Sequence, residues 1–326
     1  MQAIVVQQYG GPEEISVQEL STPTAGPGEV VIDVAAAGVN YLDIYERQGR
    51  FQHPLPFTPG VEGCGRIVEV GLGVSGLREG QRVGWVMFTG SYAQRIVIPA
   101  FRVFPIPDEI DDSTAGAGLV HAMTAVYLTS AVYPVDPQTT MLVQGAEYGA
   151  RPLLVQLARH LGARVIASVR QTAEKAAVQR AGAHEVLAWQ DGDVTDQVRE
   201  LTDGTGVDVV YDANGQATFK ASLASLRVGG TYVQMAEVLG AVRPFDPGVL
   251  TERSTMFCRP LLAHHIRTRD ELVEISSRAL DLIARGTLRI KLGEAFSLGD
   301  AAKAQWHLES HTAGAKPLIF PNGLPS

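Results

Sequence analysis

Between residues 140 and 235 buried strands and amphipathic helices take turns along the chain, and no other feature constrains the fold as tightly. Thr140-Met141-Leu142-Val143-Gln144 reads as a buried strand. Residues 151–161 then carry Leu153, Leu154, Leu157, Ala158 and Leu161 at helical spacing. A second strand follows over 164–169, a second helix over 172–181, and further strands over 186–187, 207–212 and 231–235. Strand and helix alternating at these intervals predict βαβ units and a doubly wound parallel sheet.

The flanking segments obey other rules. Up to about residue 118 short β-branched runs such as Val30-Val31-Ile32 and Ile67-Val68-Glu69-Val70 are separated by Gly/Pro punctuation, a pattern of strands and turns that predicts a compact barrel-like domain. Beyond 260, residues 270–285 form one amphipathic helix with Leu272, Ile275, Ala279, Leu282 and Ile283 on a shared face. Leu318-Ile319-Phe320 predicts a strand that returns to the first domain. The chain's 326 residues suit two domains. With 27 basic against 35 acidic residues the net charge is −8, and no basic cluster offsets it, which argues against a nucleic-acid partner. Two cysteines, Cys64 and Cys258, exclude a disulfide scaffold and suit a reducing compartment. The first residues show no signal-peptide pattern, and no apolar stretch reaches about 18 residues. The expectation is a cytoplasmic protein without a membrane partner.

The first βα turn of the alternating region should carry the phosphate loop. It reads Gln144-Gly145-Ala146-Glu147-Tyr148-Gly149-Ala150-Arg151-Pro152. Gly145 and Gly149 are present and Pro152 suits the first turn of a helix, but no G-x-G-x-x-G string occurs. The tip of the second strand bears Arg170 and then Lys175, with no acid at the strand end, and basic groups there accept a 2′-phosphate.

Several segments together carry a family resemblance. They include Tyr9-Gly10-Gly11-Pro12-Glu13, Gly38-Val39-Asn40-Tyr41-Leu42-Asp43-Ile44-Tyr45 and Pro59-Gly60-Val61-Glu62-Gly63-Cys64-Gly65. Gln156-Leu157-Ala158-Arg159-His160-Leu161-Gly162-Ala163 and Arg259-Pro260-Leu261 continue it. The chain resembles the zinc-free quinone oxidoreductase (ζ-crystallin-like) branch of the medium-chain dehydrogenase/reductase superfamily. That resemblance implies an α/β fold with a GroES-like, barrel-type catalytic domain over residues 1–119 and 261–326. A Rossmann-type nucleotide-binding domain would cover 120–260. It also implies NADPH-dependent reduction of a quinone or an α,β-unsaturated carbonyl in the cleft between the two, without zinc, by a homodimer acting on a small molecule.

Residue by residue, the resemblance assigns Asn40, Asp43 and Tyr45 to the catalytic site and sets Thr124 near the nicotinamide. Asn40 stands where zinc-dependent relatives have their first cysteine ligand. Phe51 stands where many relatives have Tyr. On the cofactor side the resemblance points to Gly145, Tyr148, Gly149 and Arg151 in the loop and to Ser168, Arg170 and Lys175 at the second strand. It adds Trp189 beside the adenine, Asn214 at the fourth strand, and His311 in place of a phosphate-binding Arg. Tyr148 and Arg151 occupy positions where the family pattern has glycine. Two readings of the loop stay open. In one, helix-terminal N–H groups hold the cofactor with Arg151 turned toward phosphate. In the other, the site is weakened, and Glu237, His264 or His265 serve a redox-neutral enzyme (a cyclase, isomerase or lyase) instead.

Overall fold

The structure is a computed structural model that describes residues 1–310 and 315–324. The strands in chain order are β1 (Gln2–Val6), β2 (Ile15–Glu19), β3 (Glu29–Gly38), β4 (Glu62–Val70), β5 (Arg82–Val86), β6 (Arg95–Pro99), β7 (Phe104–Pro105), β8 (Thr140–Gln144), β9 (Arg164–Val169), β10 (Glu185–Ala188), β11 (Val207–Asp212), β12 (Leu226–Gln234), β13 (Met256–Cys258), β14 (Leu292–Ser297) and β15 (Lys316–Phe320). The helices are α1 (Tyr41–Arg47), α2 (Asp112–Tyr127), α3 (Arg151–His160), α4 (Lys175–Ala181), α5 (Val194–Leu201), α6 (Phe219–Ser225), α7 (Arg269–Ala284) and α8 (Ala301–Glu309). They form two compact units, Met1–Val120 with Ile266–Ser326, and His121–His265.

In the first unit the strands run in the order β14-β15-β3-β4-β5-β7, with β6 also on β3, and β1 and β2 form a separate antiparallel pair. The long strand β3 pairs with β4, β6 and β15, all antiparallel. Ile32, Ile67, Trp85, Tyr92, Ile98 and Ile319 pack into one core. Trp85 is buried there with its indole N–H donating to Ser91 Oγ at 2.8 Å, so the ring enters the core with its polar atom satisfied. Where β4 runs closest to β3, a Cβ at Gly65 would lie 2.0 Å from the Asp33 carbonyl oxygen. Only glycine allows that approach.

The second unit is a parallel sheet in the order β10-β9-β8-β11-β12-β13. Counted within the unit, this is the 3-2-1-4-5-6 order of a doubly wound fold, with its switch point between β8 and β11. The loops at the carboxyl ends of those two strands hold Gly145 and Asn214, at the place where a fold of this order is expected to bind its ligand.

Three sequence readings change. The stretch before residue 118 is not strand and turn throughout, because α1 and the start of α2 interrupt it. The α2 sequence is rich in Ala and Gly and largely buried, so no polar face sets a visible period. The helix expected over 172–181 divides into a 3-10 turn, Thr172–Glu174, followed by α4. Continued by a π-helical turn over Leu128–Val132, α2 becomes a helical stretch long and apolar enough to cross a membrane by length and composition. Most of it is buried inside the protein, as a core helix is.

Candidate active site

In the first unit the catalytic candidates sit on a buried polar network. Asn40 caps α1, and its backbone N–H donates to Asp43 Oδ2 at 2.8 Å. The Tyr92 hydroxyl donates to the same oxygen at 2.8 Å, and the Val61 N–H donates to Oδ1 at 3.0 Å. Asp43 is fully buried. Burial pushes its carboxyl up to about 7, and Glu46 adds to the rise, against the pull of the Asn40 N–H, the Tyr92 hydroxyl and Lys316. The Asn40 amide group donates to Glu62 Oε1 at 2.9 Å and to the Gly38 carbonyl at 3.3 Å. Its Oδ1 accepts from the Lys316 ammonium at 2.8 Å, and that ammonium also pairs with Glu62 Oε1. The other Glu62 oxygen accepts the Val120 N–H at 2.8 Å.

The Asn40 and Asp43 side chains are therefore engaged inside the protein, where they fix the start of α1. Glu62, Lys316 and Tyr92 are the members of this network that the sequence reading missed. One turn beyond Asn40, Tyr45 is half-buried beside the rings of Tyr41 (6.3 Å between centroids) and Phe51 (6.5 Å). The Arg50 guanidinium lies 4.7 Å from the centre of the Tyr45 ring. No group of three His, Cys, Asp or Glu among the described residues is arranged to hold a metal ion.

In the second unit Thr124 lies half-buried on α2. The loop after β8 is built around Arg151, which is 3% exposed. Its Nε donates to the Tyr148 carbonyl at 2.9 Å, and Nη1 donates to the Gln144 carbonyl at 3.1 Å and to Asn214 Oδ1 at 2.7 Å. The guanidinium thus turns inward onto its own loop, and a Cβ at Gly145 would meet it at 2.7 Å. Tyr148 points across to Glu174 Oε1, 2.9 Å from its hydroxyl. Ser168 is fully buried: its hydroxyl donates to Gln144 Oε1 at 2.5 Å and accepts from the Gly145 N–H at 3.1 Å and the Trp189 indole at 3.2 Å.

These residues fit a dinucleotide. Gly149 has φ +67° with open space where a Cβ would stand, next to the N-terminus of α3. Asn214 Nδ2 and Gln144 Nε2 are buried donors without a protein acceptor among the described residues, which is the state of groups that wait for a ligand. Arg170 is exposed at the tip of β9, and Lys175 follows with Asp191 Oδ2 2.5 Å away. His311 lies outside the described residues.

Of the acid–base candidates of the redox-neutral reading, Glu237 and the His265 ring have partners within the protein. Glu237 pairs with Arg259 at 3.0 Å and also accepts from Gln234 Nε2 and the Val242 N–H. His265 stacks on Tyr127 at 4.7 Å, and His264 is exposed.

Residues 26–108 match the alcohol dehydrogenase GroES-like domain and residues 152–276 match the zinc-binding dehydrogenase family. Quinone oxidoreductase 1 of Escherichia coli is 31% identical over 98% of this chain and 99% of its own length. The chain belongs to the quinone oxidoreductase branch of the medium-chain dehydrogenase/reductase superfamily. The 2-haloacrylate reductase of a Burkholderia species is 34% identical over 98% of both chains. The crystal structure of E. coli quinone oxidoreductase complexed with NADPH superposes with a TM-score of 0.95 at 30% identity, covering 98% of this chain and all of that one. Of the two large side chains in the loop, Arg151 folds inward and Tyr148 reaches across to Glu174.

Proposed function

We propose that the chain reduces a quinone or another α,β-unsaturated carbonyl with NADPH. The observation that carries this reading is the full-length likeness to quinone oxidoreductases and to a 2-haloacrylate reductase. It is joined by a phosphate loop whose open Gly149 backbone, with the Asn214 Nδ2 donor that lacks an acceptor among the described residues, suits a dinucleotide. NADPH, when bound, supplies the hydride. Gly149, the α3 N-terminus and Asn214 hold its pyrophosphate side, while Arg170 and Lys175 hold the 2′-phosphate. Ser168 and Trp189 brace the adenosine side.

On the substrate side Tyr45 donates from its hydroxyl to the carbonyl oxygen as negative charge develops there. Thr124 orients the nicotinamide end. Asn40 and Asp43 keep α1, and Tyr45 with it, in register. Tyr41 and Phe51 offer a planar acceptor an apolar ledge and exclude water. The protein works on small molecules in the cytoplasm as a homodimer. Support for the dimer comes from the edge strand β13, whose Met256 is 58% exposed.

Titration with NADPH and NADH, followed by nicotinamide fluorescence and then by turnover with a quinone, tests this. Binding and turnover are expected, and Tyr45→Phe lowers turnover about 100-fold while leaving cofactor affinity in place. Absence of any fluorescence change at millimolar cofactor would remove the reading.

A further inference from the structure

Of the two cations that follow β9, Lys175 already faces a carboxylate that the chain itself supplies. Lys175 is paired with Asp191, which also accepts from the Thr172 hydroxyl at 3.3 Å. Glu174 stands beside Lys175 in the same turn, and each of its oxygens has a donor. Oε2 accepts the Gln171 N–H at 2.9 Å, within the turn that opens α4. Oε1 accepts the Tyr148 hydroxyl at 2.9 Å, from the loop after β8. Strands β8 and β9 are neighbours in the sheet, so this second bond bridges two βα loops at its carboxyl edge. Those are the loops that receive the pyrophosphate and the adenosine ribose in a doubly wound dinucleotide site. The phenol stays a donor at neutral pH, since burial and the Glu174 carboxylate push its pKa up to about 12.

We infer that Tyr148 and Glu174 form a clasp that fixes an anion at the 2′-phosphate end of the cofactor site and so narrows the preference for NADPH over NADH. The inference rests on the oxidoreductase reading above. A 2′-phosphate brings close to two negative charges to Arg170 and Lys175, and it meets the Glu174 carboxylate beside them. NADH presents a neutral hydroxyl at the same point and meets no such repulsion. Tyr148 acts through Glu174: without the phenol, a half-buried carboxylate loses its second anchor and turns toward solvent. The clasp also explains how a bulky residue is accommodated at 148, since the ring is directed to the neighbouring loop.

The test measures the affinity of the full-length protein for both cofactors by nicotinamide fluorescence. It compares the parent with Glu174→Gln, Tyr148→Phe and the double variant. Glu174→Gln should raise the NADPH-to-NADH affinity ratio about fivefold, the size of one partly exposed charge interaction. Tyr148→Phe should raise it by a similar or smaller factor, and the double variant should match Glu174→Gln alone. Retained NADH affinity shows that each variant is folded. An unchanged ratio in Glu174→Gln, or a Tyr148→Phe shift that persists when residue 174 is Gln, overturns the clasp and leaves the oxidoreductase reading standing. Failure of parent and variants alike to bind either cofactor overturns both.

Discussion

Lys316 is 6% exposed and Glu62 is fully buried, so each charge has left water and depends on the other and on Asn40. Breaking such a pair from one side leaves an uncompensated charge in the core, which typically costs about 3–5 kcal/mol. Lys316→Met is therefore expected to lose about that much stability in chemical denaturation. A loss under about 1 kcal/mol would show that Glu62 finds another partner. This pairing was not legible in the sequence. The two residues lie 254 positions apart and meet because β15 returns beside β3. Asn40 was legible as a special position, but whether its amide faced a ligand or the protein depended on where that ammonium sat. Arg151 shows the same limit. Its position in the loop was readable, whereas the inward turn onto Gln144, Tyr148 and Asn214 follows from local packing that no motif encodes.

Among the elements, the start of α1 is tied down by one carboxylate. Asp43 gathers N–H groups from Asn40 and Val61 and the hydroxyl of Tyr92, tying the helix start to two other segments. Its pKa in the folded protein, about 7 against an ordinary value of 3.8, means that between these two pH values the folded state holds a proton that the unfolded chain has released. Stability then falls as pH rises through that window, by at most about 1.4 kcal/mol per pH unit from this group, and levels off above it. Relative to Asp43→Asn, the parent's unfolding free energy should decline from pH 4 to pH 7. A constant difference across that range would contradict the shifted carboxyl.

The elements also show what periodicity can reveal. The bounds of β8, β9 and β11 were readable because parallel strands buried on both faces are short apolar runs between polar turns. The α1 and α2 helices were not, the first for its seven-residue length and the second for its lack of a polar face.

At the scale of the molecule, the chain divides into two units of different architecture, one with mostly antiparallel strands and one with a parallel sheet. In the function proposed above, the parallel unit binds the dinucleotide at its switch point and the mostly antiparallel unit supplies Tyr45. The overall fold was legible because segments spread along most of the chain agree with one family. The state of the cofactor loop was not, since sequence alone left the directions of Tyr148 and Arg151 open. Arg151 turns inward and Tyr148 turns to Glu174, which leaves the backbone at Gly149 open, and the account stands on this site accepting NADPH for hydride transfer. The most direct measurement is transfer of label from NADPH, deuterated at the reactive carbon-4 position, to a conjugated carbonyl, read by mass spectrometry of the product. The account predicts one deuterium per reduced product with matching oxidation of the cofactor. Product formed without label, or no cofactor oxidation in the presence of any quinone or enone, would contradict it.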